Sequence, residues 1–126
     1  MTDNLGHEKL VEELSEQLKS VFENSNQGIY LYLDDAHKTC NKKFAEMLGY
    51  KSVDEWVKNE YPINDVLEED QEKGIHAYTH ASQKFLASTV DVVWTKKNGE
   101  TIKTTVIFVP LTFKDEVFVL HFITPK

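Results

Sequence analysis

The segment of residues 116–124 is apolar on both of the faces that a β-strand would present. Its apolar residues form two alternating sets, Val117, Val119 and Ile123 on one side and Phe118, Leu120 and Phe122 on the other. Because successive residues of a strand point to opposite faces, a sheet built on this segment must be covered on both sides. The chain must therefore form, or recruit, a layer on each face of an antiparallel sheet.

Four more segments read as strands. Residues 29–33 alternate apolar and tyrosine side chains, and the turn Asp34-Asp35 leads into a short strand at 37–40. Residues 89–95 and 101–109 are rich in β-branched residues and flank Asn98-Gly99, a strong hairpin signal. Residues 110–115 read as the turn before the last strand. The pattern predicts five strands, with helices between the second and the third.

Helix signals fill the gap between strands two and three. Asn41 and Gly49 would begin and end a helix at 42–48, and Ser52 with Glu55 forms a capping box for a second. One helical turn is expected at 63–67. A longer helix at 69–87 contains Gly74 in its interior. Its apolar face is predicted from five residues: Ile75, Tyr78, Ala81, Phe85 and Leu86.

Residues 7–23 are predicted to form one amphipathic helix. Val11, Leu14, Leu18 and Val21 follow a spacing of 3, 4 and 3, which makes an apolar stripe. A helix of two heptads is marginal alone in water, so the stripe must pack on another surface. That surface is either the sheet of the same chain or a second copy of the protein.

From about residue 20 to residue 124 the chain resembles a PAS domain. The stretches that carry the resemblance are residues 22–25 leading to 28–31, the first hairpin with Asp34-Asp35 and the strand ending at Asn41, and residues 41–50, 52–56, 67–70 and 97–100. The first hairpin departs from the family, with Ala36-His37 where glycine is frequent. The resemblance implies an α+β fold: a five-stranded antiparallel sheet with short helices on one face, preceded here by the amphipathic helix. We divide the chain into a dimerisation segment, 1–23, and a PAS domain, 24–126.

The resemblance also implies ligand sensing, dimerisation and signal transfer. A ligand or signalling partner would shift the packing of helices on the sheet, and the N-terminal helix of a homodimer would report the shift. Amphipathic and aromatic side chains are the candidates for lining a pocket. They are Tyr30, Tyr32, Phe44, Met47, Trp56, His76, Tyr78, His80, Trp94 and His121.

Two features invite a cofactor. His76 and His80 share a helix face, and in haem-binding PAS domains a histidine of this helix ligates the iron. We interpret the pair as ordinary polar-face or pocket-lining residues, with haem or another metal as the alternative. Cys40 precedes Asn41, whereas flavin-binding PAS domains carry their cysteine after the asparagine. We interpret Cys40 as a small buried hydrophobe, and no cofactor is required.

The composition and the motifs of the chain argue against several classes of function. The net charge is −7 and all fourteen basic residues are lysine, which argues against nucleic acid and anionic membranes as partners. No apolar run is long enough to cross a membrane, so the cytoplasm is the expected location. No acid–base or nucleophile motif points to an enzyme. Two alternatives stay open: a ligand-free PAS module for protein–protein contact, and a small cavity enzyme of the NTF2-like type.

Overall fold

The computed structural model describes residues 4–126, so residues 1–3 of the predicted segment 1–23 lie outside the described residues. The helices are α1 (Asn4–Gln17), α2 (Lys19–Asn24), α3 (Lys42–Met47), α4 (Val53–Val57) and α5 (Glu68–Lys84). One 3₁₀ turn spans Pro62–Asp65. The strands are β1 (Gly28–Asp34), β2 (His37–Cys40), β3 (Ser88–Thr95), β4 (Thr101–Phe113) and β5 (Glu116–Pro125). Among these residues no helix is long and apolar enough to cross a membrane.

The five strands form one antiparallel sheet, as predicted, and their order in the sheet is β2-β1-β5-β4-β3. The first and last strands are neighbours, with Tyr30 opposite His121 and Leu31 opposite Leu120. The central position of β5 explains why it is apolar on both faces, because each of its faces lies against a separate core.

The inner face of the sheet packs against α3, α4, the 3₁₀ turn and α5. Its core contains Phe44 and Trp56 from the helices and Trp94, Val106 and Ile123 from the strands. The outer face packs against α1 and α2. That second cluster joins helix residues to strand residues, with Val11 and Leu14 from α1 and Ile29, Leu31, Phe118 and Leu120 from the sheet.

The predicted single helix at 7–23 is wrong, because Leu18 leaves helical geometry and separates α1 from α2. Val11 and Leu14 are buried against the sheet of their own chain. Leu18 is partly buried in the same cluster, and Val21 is 46% exposed. Packing on the sheet of the same chain therefore accounts for Val11 and Leu14, the first part of the apolar stripe. Dimerisation stays a prediction.

The apolar face of the long helix differs in part from the prediction, because Ala81 is buried and Tyr78 packs against the inner core as expected, but the other three predicted residues do not. The buried positions of α5 are Gly74, Ala77 and Ala81, whereas Ile75, Phe85 and Leu86 are about half exposed. The helix ends earlier than predicted, at Lys84, and Phe85 adopts a left-handed conformation with φ 56°. The small side chains of Ala77 and Ala81 face the inner core, whereas the prediction gave more weight to larger apolar side chains.

Strand β4 continues through residues that the sequence had indicated as a turn. Pro110 lies within the strand opposite Val119, and the turn is the two-residue Lys114-Asp115, both with positive φ. Proline is tolerated there because β3 pairs with β4 only as far as Phe108. Beyond Phe108 one side of β4 is an edge, where a missing N–H costs little.

The two predicted N-caps are confirmed. The Asn41 side chain accepts from the Phe44 N–H, and Ser52 Oγ accepts from the Glu55 N–H at 3.1 Å. Glu55 reaches back to the Lys51 N–H at 2.8 Å, one residue earlier than in a standard capping box. Gly49 follows α3 with φ 85°, a conformation that favours glycine.

Candidate functional site

A cavity of about 110 Å³ lies between the inner face of the sheet, α5 and the 3₁₀ turn. Aliphatic side chains supply one part of its wall: Pro62, Ile63, Val66, Ile75, Val92 and Val106. Aromatic side chains supply another: Tyr30, Tyr32, Tyr78, Trp94, Phe108 and His121. Asp35 and the half-exposed Ile75 belong to the lining, so the cavity reaches solvent between the β1–β2 turn and α5.

The aromatic wall is organised around His121. The His121 ring stacks on Tyr30, with centroids 3.7 Å apart and an interplanar angle of 12°. Phe108 packs on His121 at 4.8 Å, and Tyr32 meets Tyr78 edge to face at 5.2 Å. Strand pairing fixes the two contacts of His121, because Tyr30 and Phe108 both lie opposite His121 on neighbouring strands.

Several polar atoms of the wall already have partners within the protein. Trp94 Nε1 donates to Thr104 Oγ1 at 2.9 Å, and Thr104 donates onward to the Val92 carbonyl at 2.8 Å. The Tyr32 hydroxyl donates to Asp35, and the Tyr78 hydroxyl donates to the Leu33 carbonyl at 3.3 Å. These bonds stiffen the wall and leave few polar groups for a bound molecule.

His121 is neutral and can accept a hydrogen bond. Burial lowers its pKa to about 3, despite backbone contacts that favour the charged form. Nδ1 lies 3.2 Å from the Val119 carbonyl, which can only accept, so Nδ1 carries the proton. Nε2 is therefore an acceptor in a wall whose other polar groups include Asp35 and the tyrosine hydroxyls. Burial raises the pKa of Tyr30 and Tyr78 as well, so both hydroxyls stay protonated donors.

The ten predicted pocket residues fall into three groups. Tyr30, Tyr32, Tyr78, Trp94 and His121 line the cavity. Phe44, Met47 and Trp56 lie in the core behind it, where the rings of Phe44 and Trp56 pack on Tyr30 at 4.9 and 5.3 Å. The rings of His76 and His80 lie 4.3 Å apart on α5 at an interplanar angle of 46°, and neither residue lines the cavity.

Sequence reasoning missed the aliphatic side chains of the wall and one aromatic side chain, Phe108. Val92, Val106 and Phe108 point inward on β3 and β4, and strand alternation from Trp94 would have identified them. Ile63 and Val66 have no such signal, because the 3₁₀ turn that places them is short and irregular. Asp35 was interpreted only as a turn residue.

Cys40 is buried in the inner core, at the end of β2. Burial raises the pKa of its thiol to about 12, and the neighbouring backbone and Lys38 only partly oppose this. A protonated, buried thiol is a poor nucleophile and a poor metal ligand. The side chain acts here as a small hydrophobe.

Gly74 provides a direct probe of the cavity, because a Cβ added there would meet only Ile63 Cδ1, at 4.0 Å. We expect Gly74→Ala to raise the free energy of unfolding by about 0.5–1 kcal/mol, since alanine favours the helix and the methyl group fits. Chemical denaturation would measure the change. A loss of stability would mean that α5 lies closer to its neighbours than this geometry allows.

Comparison with known proteins agrees with this architecture. A family model for the PAS domain matches residues 16–81, more than half of the chain. The PAS domain of a Colwellia psychrerythraea protein superposes with a TM-score of 0.72 at 17% identity, over 90% of this chain and 97% of that one. The PAS domain of an HTR-like protein from Haloarcula marismortui gives 0.65 at 20% identity, over 98% and 100%.

A PAS domain from a two-component sensor histidine kinase gives a TM-score of 0.68 at 15% identity, over 91% of this chain and 99% of that one. At such identities the structures show a shared fold. No curated protein sequence matches the chain. The family match and the strand order both identify the PAS fold, so the alternative NTF2-like architecture is wrong. The chain belongs to the PAS domain family of sensory and signalling modules.

Proposed function

We propose that the chain is a sensor that binds a small, mainly apolar molecule in the cavity behind α5. The observation that carries the proposal is an aromatic and aliphatic wall holding one neutral acceptor, His121. The volume of about 110 Å³ is below the range of about 300–1000 Å³ common for ligand pockets. An apolar cavity of about 150 Å³ binds benzene in another protein, so a one-ring molecule sets the scale.

The sheet offers a short route from the cavity to the N-terminal helix. Tyr30 lines the cavity, while its neighbours Ile29 and Leu31 face the opposite side and pack in the cluster that holds α1. A ligand that moves Tyr30 or His121 shifts β1 and β5, which are the strands beneath Val11 and Leu14. The output of the sensor is therefore a change in how α1 lies on the sheet.

Native mass spectrometry of the freshly purified chain, followed by thermal-shift titration with phenol, tests this function. Phenol has one ring and a hydroxyl that can donate to His121. We expect phenol to raise the melting temperature of the wild type and of Ile107→Phe, a control on the outer face of β4. Val92→Phe places a ring in the cavity and should abolish the response. An equal response of Val92→Phe and the wild type would mean that phenol binds elsewhere, and no shift in any variant would argue against a one-ring aromatic ligand.

The exposed Val21 supports a second proposal, that the module also forms a homodimer through the N-terminal segment. Val21 lies next to Phe22, which packs on the outer face, where Ile107 lies opposite Phe122 and is also exposed. We expect Val21→Glu to shift a dimer towards monomer in analytical ultracentrifugation. Ser20→Glu adds the same charge at an exposed neighbouring position and should not. A monomeric wild type would refute dimerisation and leave the sensor proposal intact.

A further inference from the structure

Two histidines meet on the outer side of the sheet, away from the cavity. His37 begins β2 and is buried, with 7% of its surface exposed. His7 lies near the start of α1, and its ring meets that of His37 edge to face at 5.2 Å and 82°. Asp34, at the end of β1, completes the group. One ligand atom from each residue lies within 4.8 Å of the other two.

Asp34 already orients one member of this group. Its Oδ1 lies 2.7 Å from His37 Nδ1 and accepts from the Ala36 N–H at 3.0 Å, which fixes both the turn and the imidazole ring. This carboxylate oxygen and this ring nitrogen face each other at hydrogen-bond distance across a shared proton. A metal ion bound between them would replace that proton, so that Asp34 Oδ1 and His37 Nδ1 would both become ligands.

A second carboxylate lies beside His7. Oε2 of Glu116, at the start of β5, is 3.7 Å from His7 Nε2, and both side chains are partly exposed. The group itself combines two imidazoles with one carboxylate, nitrogen and oxygen donors of the kind that zinc accepts in proteins, and Glu116 contacts its His7 member. A tetrahedral zinc with bonds of about 2.0–2.1 Å needs its ligands about 3.3 Å apart, so the partly exposed His7 must move inward when the ion binds.

We propose that His7, His37 and Asp34, with Glu116 in reach, bind one divalent transition-metal ion such as Zn²⁺. The ligands come from α1, from the β1–β2 hairpin and from β5, three parts of the chain that are distant in sequence. A bound ion ties the beginning of α1 to the sheet. The ion holds α1 near its N-terminal end, whereas the break between α1 and α2 lies at the other end, at Leu18.

The test is calorimetric titration of zinc chloride into the full chain without a histidine tag. The titration uses the double variant His76→Ala/His80→Ala as its background. These two histidines of α5 are spaced i, i+4 and could bind zinc at a separate site, so they are removed first. In this background we expect one zinc per chain. A hundredfold excess over the dissociation constant should raise the melting temperature by roughly 10 °C.

In the same background, His7→Ala should weaken zinc binding at least tenfold, and Glu116→Gln should weaken it less. Glu12→Ala, an exposed position on the same helix, is the matched control and should bind like the background. His37→Ala should abolish binding, but His7→Ala decides the matter even where the loss of buried His37 unfolds the chain. No binding in the background, or equal binding by His7→Ala, overturns the proposal.

Discussion

Replacing Asn41 with leucine is expected to lower the free energy of unfolding by about 4 kcal/mol. The Asn41 side chain makes four hydrogen bonds. Its Oδ1 accepts from the N–H groups of Ile29 and Phe44 at 3.0 and 2.9 Å. Its Nδ2 donates to the carbonyls of Phe22 and Gln27 at 3.2 and 3.0 Å. One amide therefore connects the end of α2, the start of β1 and the first turn of α3.

The size of the effect follows from what leucine leaves behind. Two buried N–H groups lose their acceptor and cannot reach water, and each costs about 1–3 kcal/mol. The loss is a large part of the 5–15 kcal/mol by which domains are commonly stable. Urea denaturation of Asn41→Leu and the wild type measures it.

Ser52→Ala is the matched control for this experiment. Ser52 caps α4 with a single exposed bond to the Glu55 N–H, so its removal should cost only about 1 kcal/mol. Asn41→Asp keeps both acceptors but turns a carboxylate towards two carbonyl oxygens, and its cost should lie between those of the other variants. Equal losses of stability for Asn41→Leu and Ser52→Ala would mean that Asn41 contributes to stability only as a helix cap.

Asn41 also illustrates what a sequence can reveal about such a fold. Its role as a cap was predictable because a cap is local, and the acceptor and the N–H it serves are three residues apart. Its contacts with Phe22, Gln27 and Ile29 span 12 to 19 residues, and only the folded sheet brings them together. The amphipathic and aromatic character of the side chains likewise indicated five of the six aromatic residues that line the cavity, and only Phe108 was missed.

The buried face of α5 could not be predicted from local sequence signals of this kind. Hydrophobic periodicity weights large side chains, whereas this helix buries glycine and alanine and leaves Ile75 at the cavity mouth. The metal-binding group was equally hidden, because His7 and His37 lie 30 residues apart and neither belongs to a motif. Both features depend on how closely two elements approach, a quantity that residue spacing does not encode.

Acid is expected to destabilise the wild type through His121. The ring stays neutral in the folded protein because burial lowers its pKa to about 3, whereas in the unfolded chain it titrates near 6.5. Below pH 6.5 the unfolded state binds a proton that the native state does not. Stability is therefore complete above that pH and falls progressively as the pH drops towards 3.

His121→Phe isolates this contribution, since phenylalanine keeps the stacking on Tyr30 but cannot titrate. Between pH 7 and pH 4 the wild type should lose about 3 kcal/mol more than the variant in urea denaturation. The carboxylates titrate in both proteins and cancel in the comparison, and His80→Phe makes the same substitution outside the cavity. Parallel stability curves for wild type and His121→Phe would mean that the folded protein accepts a charged His121. The cavity would then hold water rather than the neutral acceptor on which ligand binding is proposed to depend.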